Sequence, residues 1–269
     1  MSRKDLYRFL KVLAIVYIVV GAGLYFLQEQ LLFHPKKLPA GYTFNFDTPF
    51  RELNLPRADS SNLNMVQFLP PDSLPAGIVI YYHGNMRNIT RYAPFARLFT
   101  MNGYEVWMMD YPGFGKTTGK RTEQNLYADA ERVYQMAAAK VHPDSIIIYG
   151  KSIGTGIASY IASKNKCKRL VLETPYTSIP GLAQRYFFMY PVKYMVNYQF
   201  PSIDYLAQVK VPITIFHGTR DGVIAYKNAR RLTKVFKPGD EFITLPNGTH
   251  NNIPDFQLYH EKMDSLLSL

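Results

Sequence analysis

The sequence predicts an α/β protein in which a mostly parallel sheet is covered by helices on both faces. Six short apolar runs of strand length follow one another along the chain, with stretches of helical spacing between most of them. Strands that are apolar on both faces are typical of buried parallel sheets, and their alternation with helices indicates crossover connections. One long apolar run near the N-terminus adds a membrane segment to this prediction.

The predicted core strands are short and rich in β-branched or aromatic residues. They lie at 77–82, 105–110, 145–149, 169–172, 213–216 and 241–245. Two earlier segments, 44–50 and 63–68, are expected to form antiparallel edge strands. Apolar residues at helical spacing predict helices over 91–101, 122–141 and 154–163, and a closing helix over 254–269.

The N-terminal residues 1–30 are expected to be a membrane anchor. Residues 12–27 carry no charge, whereas four basic residues precede them, namely Arg3, Lys4, Arg8 and Lys11. Basic flanks stay cytoplasmic, which predicts a single pass with the rest of the chain on the opposite side. A cleaved signal peptide, cut near the small residues 20–22, is the alternative. The apolar run continues past that point, which favours an uncleaved anchor.

The remaining chain, 31–269, is expected to be one domain. Of the 269 residues, 47% are hydrophobic and 19% are charged, which excludes a mainly disordered protein. The net charge of +11 comes from scattered basic residues, without the basic stripe or reading motif of a nucleic-acid-binding protein. A location near anionic lipid head groups accounts for this charge better. The single cysteine, Cys167, excludes an intrachain disulfide and is interpreted as a passive thiol.

Residues 150–154, Gly-Lys-Ser-Ile-Gly, have the G-x-S-x-G pattern of a nucleophile elbow. A predicted strand precedes them and a predicted helix follows, as the elbow requires. The flanking glycines are needed because a Cβ there would strike the neighbouring strand and helix. Ser152 is therefore the predicted nucleophile, and the amide of Ile153, at the start of the helix, is predicted to stabilise an oxyanion.

Among the six histidines, His250 is the predicted base. In elbow enzymes the serine precedes the acid and the acid precedes the histidine, which leaves His217, His250 and His260. His217 ends an apolar strand and is interpreted as a packed side chain, and His260 lies on the closing helix. His250 lies in a turn after the last strand, where loops carry catalytic groups.

The predicted acid is Asp221, just beyond the strand 213–216, where it would orient the imidazole. Glu173 is the rival acid but is interpreted as a structural hydrogen-bonding residue. Asp110 ends another strand, and we interpret it as holding the tight turn that follows.

The second oxyanion donor is predicted to be the amide of Asn85, with Met86 as the neighbouring alternative. Both follow the strand 77–82, and His83 is expected to brace this loop. No two histidines share a helical turn and no Cys-x-x-Cys occurs, so no metal site is predicted.

Residues 176–205 interrupt the alternation with many aromatic residues and three prolines. We interpret them as a small cap over the substrate pocket, because long insertions in compact domains are usually functional. An ordinary helical connection with aromatic core contacts is the alternative.

Taken together, these motifs resemble the α/β-hydrolase superfamily. The resemblance rests on HGN at 83–85, DYPGFG at 110–115, GKSIG at 150–154, LETPYTS at 172–178, HGTRD at 217–221 and NGTH at 247–250. The anchor followed by LLFHP at 31–35 is similar to the membrane-anchored, serine aminopeptidase or lysophospholipase-like branch. The resemblance implies an eight-stranded sheet, hydrolysis without a cofactor, and Ser152, Asp221 and His250 as the triad.

The predicted function is therefore a serine hydrolase that cleaves an acyl ester or thioester through an acyl-enzyme. The anchor and the aromatic insertion favour a lipid-like small-molecule substrate. A serine peptidase with the same chemistry is the first alternative. The second is a membrane-tethered scaffold without activity, since a fold alone does not establish catalysis.

Overall fold

A computed structural model describes residues 2–71 and 75–268 of the chain. Within them, ten strands are formed. They are β1 (His34–Pro35), β2 (Phe50–Pro56), β3 (Asn62–Phe68), β4 (Gly77–Tyr82), β5 (Met86–Arg87), β6 (Tyr104–Met109), β7 (Ile146–Lys151), β8 (Arg169–Glu173), β9 (Ile213–Gly218) and β10 (Glu241–Leu245). The six predicted core strands are confirmed, with ends shifted by at most two residues.

Eight of these strands form one sheet in the order β10-β9-β8-β7-β4-β6-β3-β2. The pairs β2–β3 and β3–β6 are antiparallel, and every other neighbouring pair is parallel. The predicted fold class, a mostly parallel eight-stranded sheet with helices, is thereby confirmed. β1 and β5 form a separate two-stranded parallel sheet that the sequence did not predict.

The α-helices cover both faces of the sheet. They are α1 (Arg3–Leu32), α2 (Ile89–Tyr92), α3 (Ala96–Thr100), α4 (Glu123–Lys140), α5 (Gly154–Lys164), α6 (Ile179–Tyr186), α7 (Val192–Met195), α8 (Ser202–Leu206), α9 (Tyr226–Arg230) and α10 (Gln257–Leu267). Apolar residues of α4 and α5 pack on one face, with Ile78 and Ile80 of β4. Those of α3 and α10 pack on the other, with Val79 and Tyr81.

Two predicted elements are wrong in detail. The first edge strand is Phe50–Pro56 rather than 44–50, because the aromatic residues before Pro49 pack together and Phe46 lies against Phe68, 5.2 Å between ring centroids. The helix predicted over 91–101 is divided into α2, a 3₁₀ turn and α3. Pro94 lies in that turn, where its missing N–H prevents a continuous helix.

α1 is the one helix among the described residues that is long and apolar enough to cross a membrane. Its thirty residues begin with a capping box between Ser2 and Asp5. Most of its apolar side chains are exposed, and the buried positions are Gly21 and Gln28. A surface helix of a water-soluble domain would bury an apolar stripe instead.

The insertion between β8 and β9 contains the short helices α6, α7 and α8. Its aromatic residues differ in burial, and its interpretation as a cap over the substrate pocket stays a prediction. Tyr198 and Phe200 are buried, whereas Phe188 and Tyr194 are 73% and 83% exposed. We call residues 178–200 the cap, because this part packs against α1.

Candidate active site

Ser152 lies on a strained turn between β7 and α5. Its φ is +52°, in the left-handed region that non-glycine residues seldom adopt. The glycines beside it permit this turn. A Cβ on Gly154 would lie 2.1 Å from the carbonyl oxygen of Tyr82, and one on Gly150 would lie 2.7 Å from Cβ of Ala158. The elbow predicted at 150–154 thus has the local geometry of that motif.

The structure brings Ser152, His250 and Asp221 together, although they are far apart in sequence. Nε2 of His250 lies 2.9 Å from Oγ of Ser152, and Nδ1 lies 2.8 Å from Oδ2 of Asp221. Asp221 follows β9 and His250 follows β10, so both reach the carboxyl edge of the parallel strands. Hydrogen-bonding contacts thereby connect the hydroxyl of Ser152 to the imidazole of His250, and this imidazole to the carboxylate of Asp221.

Asp221 is held ionised by its neighbours. Burial by itself would raise the pKa of this carboxyl, but the hydrogen bond and charge of His250 and the backbone amide of Ile224 outweigh it and lower the pKa. Oδ1 accepts from the amides of Val223 and Ile224, both at 2.8 Å, while Oδ2 faces the imidazole. A carboxylate fixed in this way can orient an imidazole and balance its positive charge.

His217 is the packed histidine that the sequence predicted. It is fully buried, its Nδ1 lies 3.0 Å from the carbonyl oxygen of Gly218, and its ring stacks near Phe242. Burial lowers its pKa. His260 is exposed and lies 2.7 Å from the carbonyl oxygen of Pro254, away from Ser152. His250 is therefore the histidine of these three that contacts the serine.

The amides of Asn85 and Ile153 are the two predicted oxyanion donors. Among the hydrogen bonds of the described residues, neither amide has an acceptor, so both are free to bind a substrate oxygen. The amide of Met86, the alternative donor, is directed to the hydroxyl of Tyr92 at 3.4 Å. This geometry favours Asn85 over Met86.

The loop that carries Asn85 is braced by His83, as expected, and also by Asp110, which the sequence instead predicted to hold the turn that follows it. Nε2 of His83 lies 3.2 Å from Oδ1 of Asp110, and both side chains are fully buried. Oδ1 of Asp110 also accepts from the amide of Ile89 at 2.9 Å. Burial raises the pKa of Asp110, against the effect of the nearby His83. The loop after β4 is thus tied to the end of β6.

The same loop is tied to the end of α1, a connection that sequence reasoning missed. The side-chain amide of Asn85 donates to the carbonyl oxygen of Leu32 at 2.9 Å, and the amide of His34 donates to the carbonyl oxygen of Asn85 at 2.8 Å. The β1–β5 pairing continues this contact. The LLFHP stretch at 31–35 could have indicated this contact, because apolar residues that continue past the anchor are expected to pack against the domain that follows.

Glu173, the rival acid, is used elsewhere. It forms a buried ion pair with Lys151, and its Oε2 accepts from the hydroxyl of Tyr149 at 2.6 Å. Tyr149 in turn lies 3.0 Å from the hydroxyl of Tyr259. The sequence predicts no role for Lys151, which the structure places in a buried ion pair.

Two clefts lie beside the cap. An open cleft next to Asp221 carries three cationic side chains, Arg185, Lys227 and Arg231. A narrow cleft between α1 and the cap is lined almost entirely by apolar side chains, among them Leu24, Leu31, Ile179, Phe187, Val192 and Met195. The first presents cationic side chains beside Asp221, whereas the second is apolar, has a volume of about 90 Å³ and is lined by no residue of the candidate triad.

No group of three or more potential metal ligands occurs among the residues that the structure describes. Cys167 is buried, and burial raises the pKa of its thiol to about 12, as expected of an unreactive thiol.

Comparison with known proteins finds similarity to α/β hydrolases. A family profile described as "Serine aminopeptidase, S33" matches residues 73–205. Alpha/beta hydrolase domain-containing protein 17C of Xenopus tropicalis is 32% identical over 198 residues, which cover 71% of this chain and 61% of that protein. The chain thus spans about three fifths of the length of the curated relatives it matches.

Solved structures share the fold at low sequence identity. An esterase from Pyrococcus furiosus superposes with a TM-score of 0.67 and 17% identity, covering 88% of this chain and 97% of that one. Est1E of Butyrivibrio proteoclasticus, solved with ferulic acid bound, gives a TM-score of 0.65 and 18% identity, covering 80% and 97%. At these identities the likeness concerns the fold.

Proposed function

Because the chain belongs to the α/β-hydrolase superfamily, we propose that it is a serine hydrolase that cleaves an acyl ester or thioester. The observation that carries this proposal is the position of His250. Its imidazole lies within hydrogen-bonding distance of both Ser152 and Asp221, at 2.9 and 2.8 Å. That arrangement activates a serine, whereas a purely structural histidine needs no hydroxyl on a strained turn.

In the proposed reaction, Oγ of Ser152 attacks the acyl carbonyl while Nε2 of His250 takes its proton. The carbonyl oxygen becomes an oxyanion, which the amides of Asn85 and Ile153 stabilise. His250 then donates the proton to the leaving alcohol or thiol, which leaves an acyl-enzyme on Ser152. Water, deprotonated by the same imidazole, attacks the acyl-enzyme and releases the carboxylic acid.

A lipid-like acyl substrate is the class that the clefts favour. The apolar cleft between α1 and the cap can take a hydrocarbon chain, and residues such as Leu24 and Phe187 line it. A peptidase is the second candidate, because Arg185, Lys227 and Arg231 could hold a carboxylate beside Asp221. Turnover of acyl esters of increasing chain length, compared with aminoacyl anilides, separates the two.

We also propose that residues 1–30 anchor the domain 31–269 in a membrane, with the N-terminus cytoplasmic and the catalytic domain on the other side. The exposed apolar helix α1 and its basic N-terminal residues support this placement. So does the contact of Tyr17 and Gly21 with Tyr190 of the cap, which a cleavage near residues 20–22 would remove. Identification of the mature N-terminus by mass spectrometry tests the choice against a cleaved signal peptide.

Labelling with a fluorophosphonate probe tests the catalytic proposal. The wild-type protein should label, and Ser152→Ala should not. Ser159→Ala is the matched control, because Ser159 is a buried serine of α5 whose hydroxyl only bonds to the carbonyl of Thr155. A folded wild-type protein that fails to label would favour the scaffold alternative.

A further inference from the structure

The cap ends in an apolar tip, residues 187–190, with the sequence Phe-Phe-Met-Tyr. Phe188 and Met189 are 73% and 66% exposed, and Tyr194 of the neighbouring helix α7 is 83% exposed. Water-soluble surfaces seldom expose so many large apolar side chains together, which indicates an interaction surface.

The tip lies directly against α1. The rings of Tyr17 and Tyr190 stack with their centroids 4.5 Å apart, and the hydroxyl of Tyr190 donates to the carbonyl oxygen of Tyr17 at 2.9 Å. A Cβ on Gly21 would lie 2.8 Å from the ring of Tyr190, so the glycine permits this close packing. The cap tip therefore has a defined position along the helix.

That position is inside the apolar run of α1. Tyr17 precedes Leu27, the last residue of the run 12–27, by ten residues, which corresponds to about 15 Å along a helix axis. We propose that the cap tip 187–190 inserts, from the side of the catalytic domain, into the hydrocarbon core of the bilayer to about the depth of Tyr17, which is near the middle of a core about 30 Å thick. This inference rests on the proposed membrane anchor, because a segment that touches Tyr17 must share its surroundings.

The backbone carbonyls of the tip all receive hydrogen bonds. The carbonyl of Phe187 accepts from the amide of Tyr190, and that of Tyr190 accepts from the amide of Val192. The side chain of Gln184 donates to the carbonyl of Phe188 at 3.2 Å, and the hydroxyl of Tyr17 donates to that of Met189 at 2.9 Å. These four bonds reduce the cost of placing the carbonyls in hydrocarbon, whereas the amides of Phe188 and Met189 have no acceptor among the described residues.

The charges around the tip are compatible with insertion among phospholipids. Arg185 and Lys193 flank it and are exposed. No Asp or Glu occurs between Glu173 and Asp204. The long side chains of Arg and Lys can extend their charged ends toward lipid phosphates while their apolar stems stay in hydrocarbon. A protein partner would need no such match to lipid, and the bilayer is already adjacent to α1.

Depth-dependent quenching of a fluorescent label tests this proposal in the full-length protein. The variants Phe188→Cys and, separately, Tyr194→Cys are labelled with an environment-sensitive fluorophore in a Cys167→Ala background. The protein is reconstituted in vesicles of phosphatidylcholine and phosphatidylserine. Met101→Cys is the matched control. Met101 is 64% exposed, but it lies just before β6, at the amino ends of the parallel strands, whereas the candidate site lies at their carboxyl ends. Val19→Cys, at an exposed position of α1, reports on the anchor itself.

We expect lipids with a quencher on the acyl chain to quench the label at 188 and 19, and aqueous iodide to quench the label at 101. Quenching at 19 by lipid but at 188 and 194 by iodide would overturn the proposal and leave the anchor intact. A label at 19 that iodide quenches would overturn both. If neither quencher affects the label at position 188, contact with a second copy of the protein would be indicated. This result would also overturn insertion of the tip into the bilayer.

Discussion

The side chain of Asn85 bonds to the carbonyl oxygen of Leu32, the last residue of α1, at 2.9 Å. This bond joins the loop that carries a proposed oxyanion donor to the end of the proposed membrane anchor. Because the carbonyls of the last helical turn lack N–H donors within the helix, Asn85 also caps α1. One side chain thus serves both the helix end and the placement of its own backbone amide.

Replacing Asn85 with alanine should lower kcat/KM by about 10- to 100-fold, because the amide loses the contact that fixes its position. Activity on a short soluble ester measures the effect. Asn102→Ala is the matched control, since its side chain makes the same kind of bond to the carbonyl of Leu98, at 2.8 Å and away from the site. Equal activity of the two variants would show that the bond to Leu32 has no role in placing the amide.

Replacing Gly154 with alanine should lower the free energy of unfolding by about 1–3 kcal/mol and abolish probe labelling of Ser152. The new Cβ would lie 2.1 Å from a backbone oxygen of Tyr82, which a side-chain rotation cannot relieve. Gly41→Ala is the control, because nothing lies within 4 Å of the added atom. Chemical denaturation in detergent gives the comparison, and a Gly154→Ala protein as stable as Gly41→Ala would contradict the packing argument.

Replacing Lys151 with methionine should cost about 3–5 kcal/mol of stability, because it leaves Glu173 buried and without its cation. The double variant Lys151→Met, Glu173→Gln should recover most of this loss, since glutamine keeps an acceptor for Tyr149. Lys262→Met tests an exposed ion pair with Glu241, where about 0–1 kcal/mol is expected. A double variant as unstable as the single one would refute the role of the unpaired charge.

Acidification should destabilise the protein partly through His217. Burial lowers the pKa of His217 in the folded state, whereas the unfolded chain has the ordinary value of about 6.5. The unfolded state therefore binds more protons, and stability should fall as the pH drops below about 6.5 toward the folded pKa. Thermal unfolding of wild type and His217→Asn at pH 8 and 5.5 tests this.

In that experiment asparagine can still donate to the carbonyl of Gly218, so the backbone contact is preserved. The variant should be less stable at pH 8, through lost packing, but should lose less stability between pH 8 and 5.5 than wild type does. An equal loss in both proteins would assign the acid sensitivity to other groups.

Much of the fold could be predicted because buried parallel strands are marked by their composition. β4 and β10 match the predicted bounds, since each apolar run ends where polar or turn residues begin. The edge strand and the region around Pro94 could not be placed in the same way. An edge strand is half exposed, so the alternation of apolar and polar residues along it is weak. Its position also depends on which aromatic residues pack against it.

At the candidate site, the order of motifs was sufficient to select Ser152, Asp221 and His250, because strand ends place them at one edge of the sheet. The partners of Lys151 and Asn85 were not predictable. Both depend on contacts between elements distant in sequence, Lys151 with Glu173 of β8 and Asn85 with Leu32 of α1. Short sequence motifs do not show which residues contact one another across different elements of the fold.

The attachment of α1 at two levels, through Tyr17 to the cap and through Leu32 to Asn85, leaves no flexible tether between helix and catalytic domain. If α1 crosses a bilayer, these two attachments fix the distance of the candidate active site from the membrane surface and its orientation relative to that surface. Such an enzyme would select among lipids by how far the scissile carbonyl projects from the membrane. This distance requirement would exclude some lipids before they contact the substrate pocket.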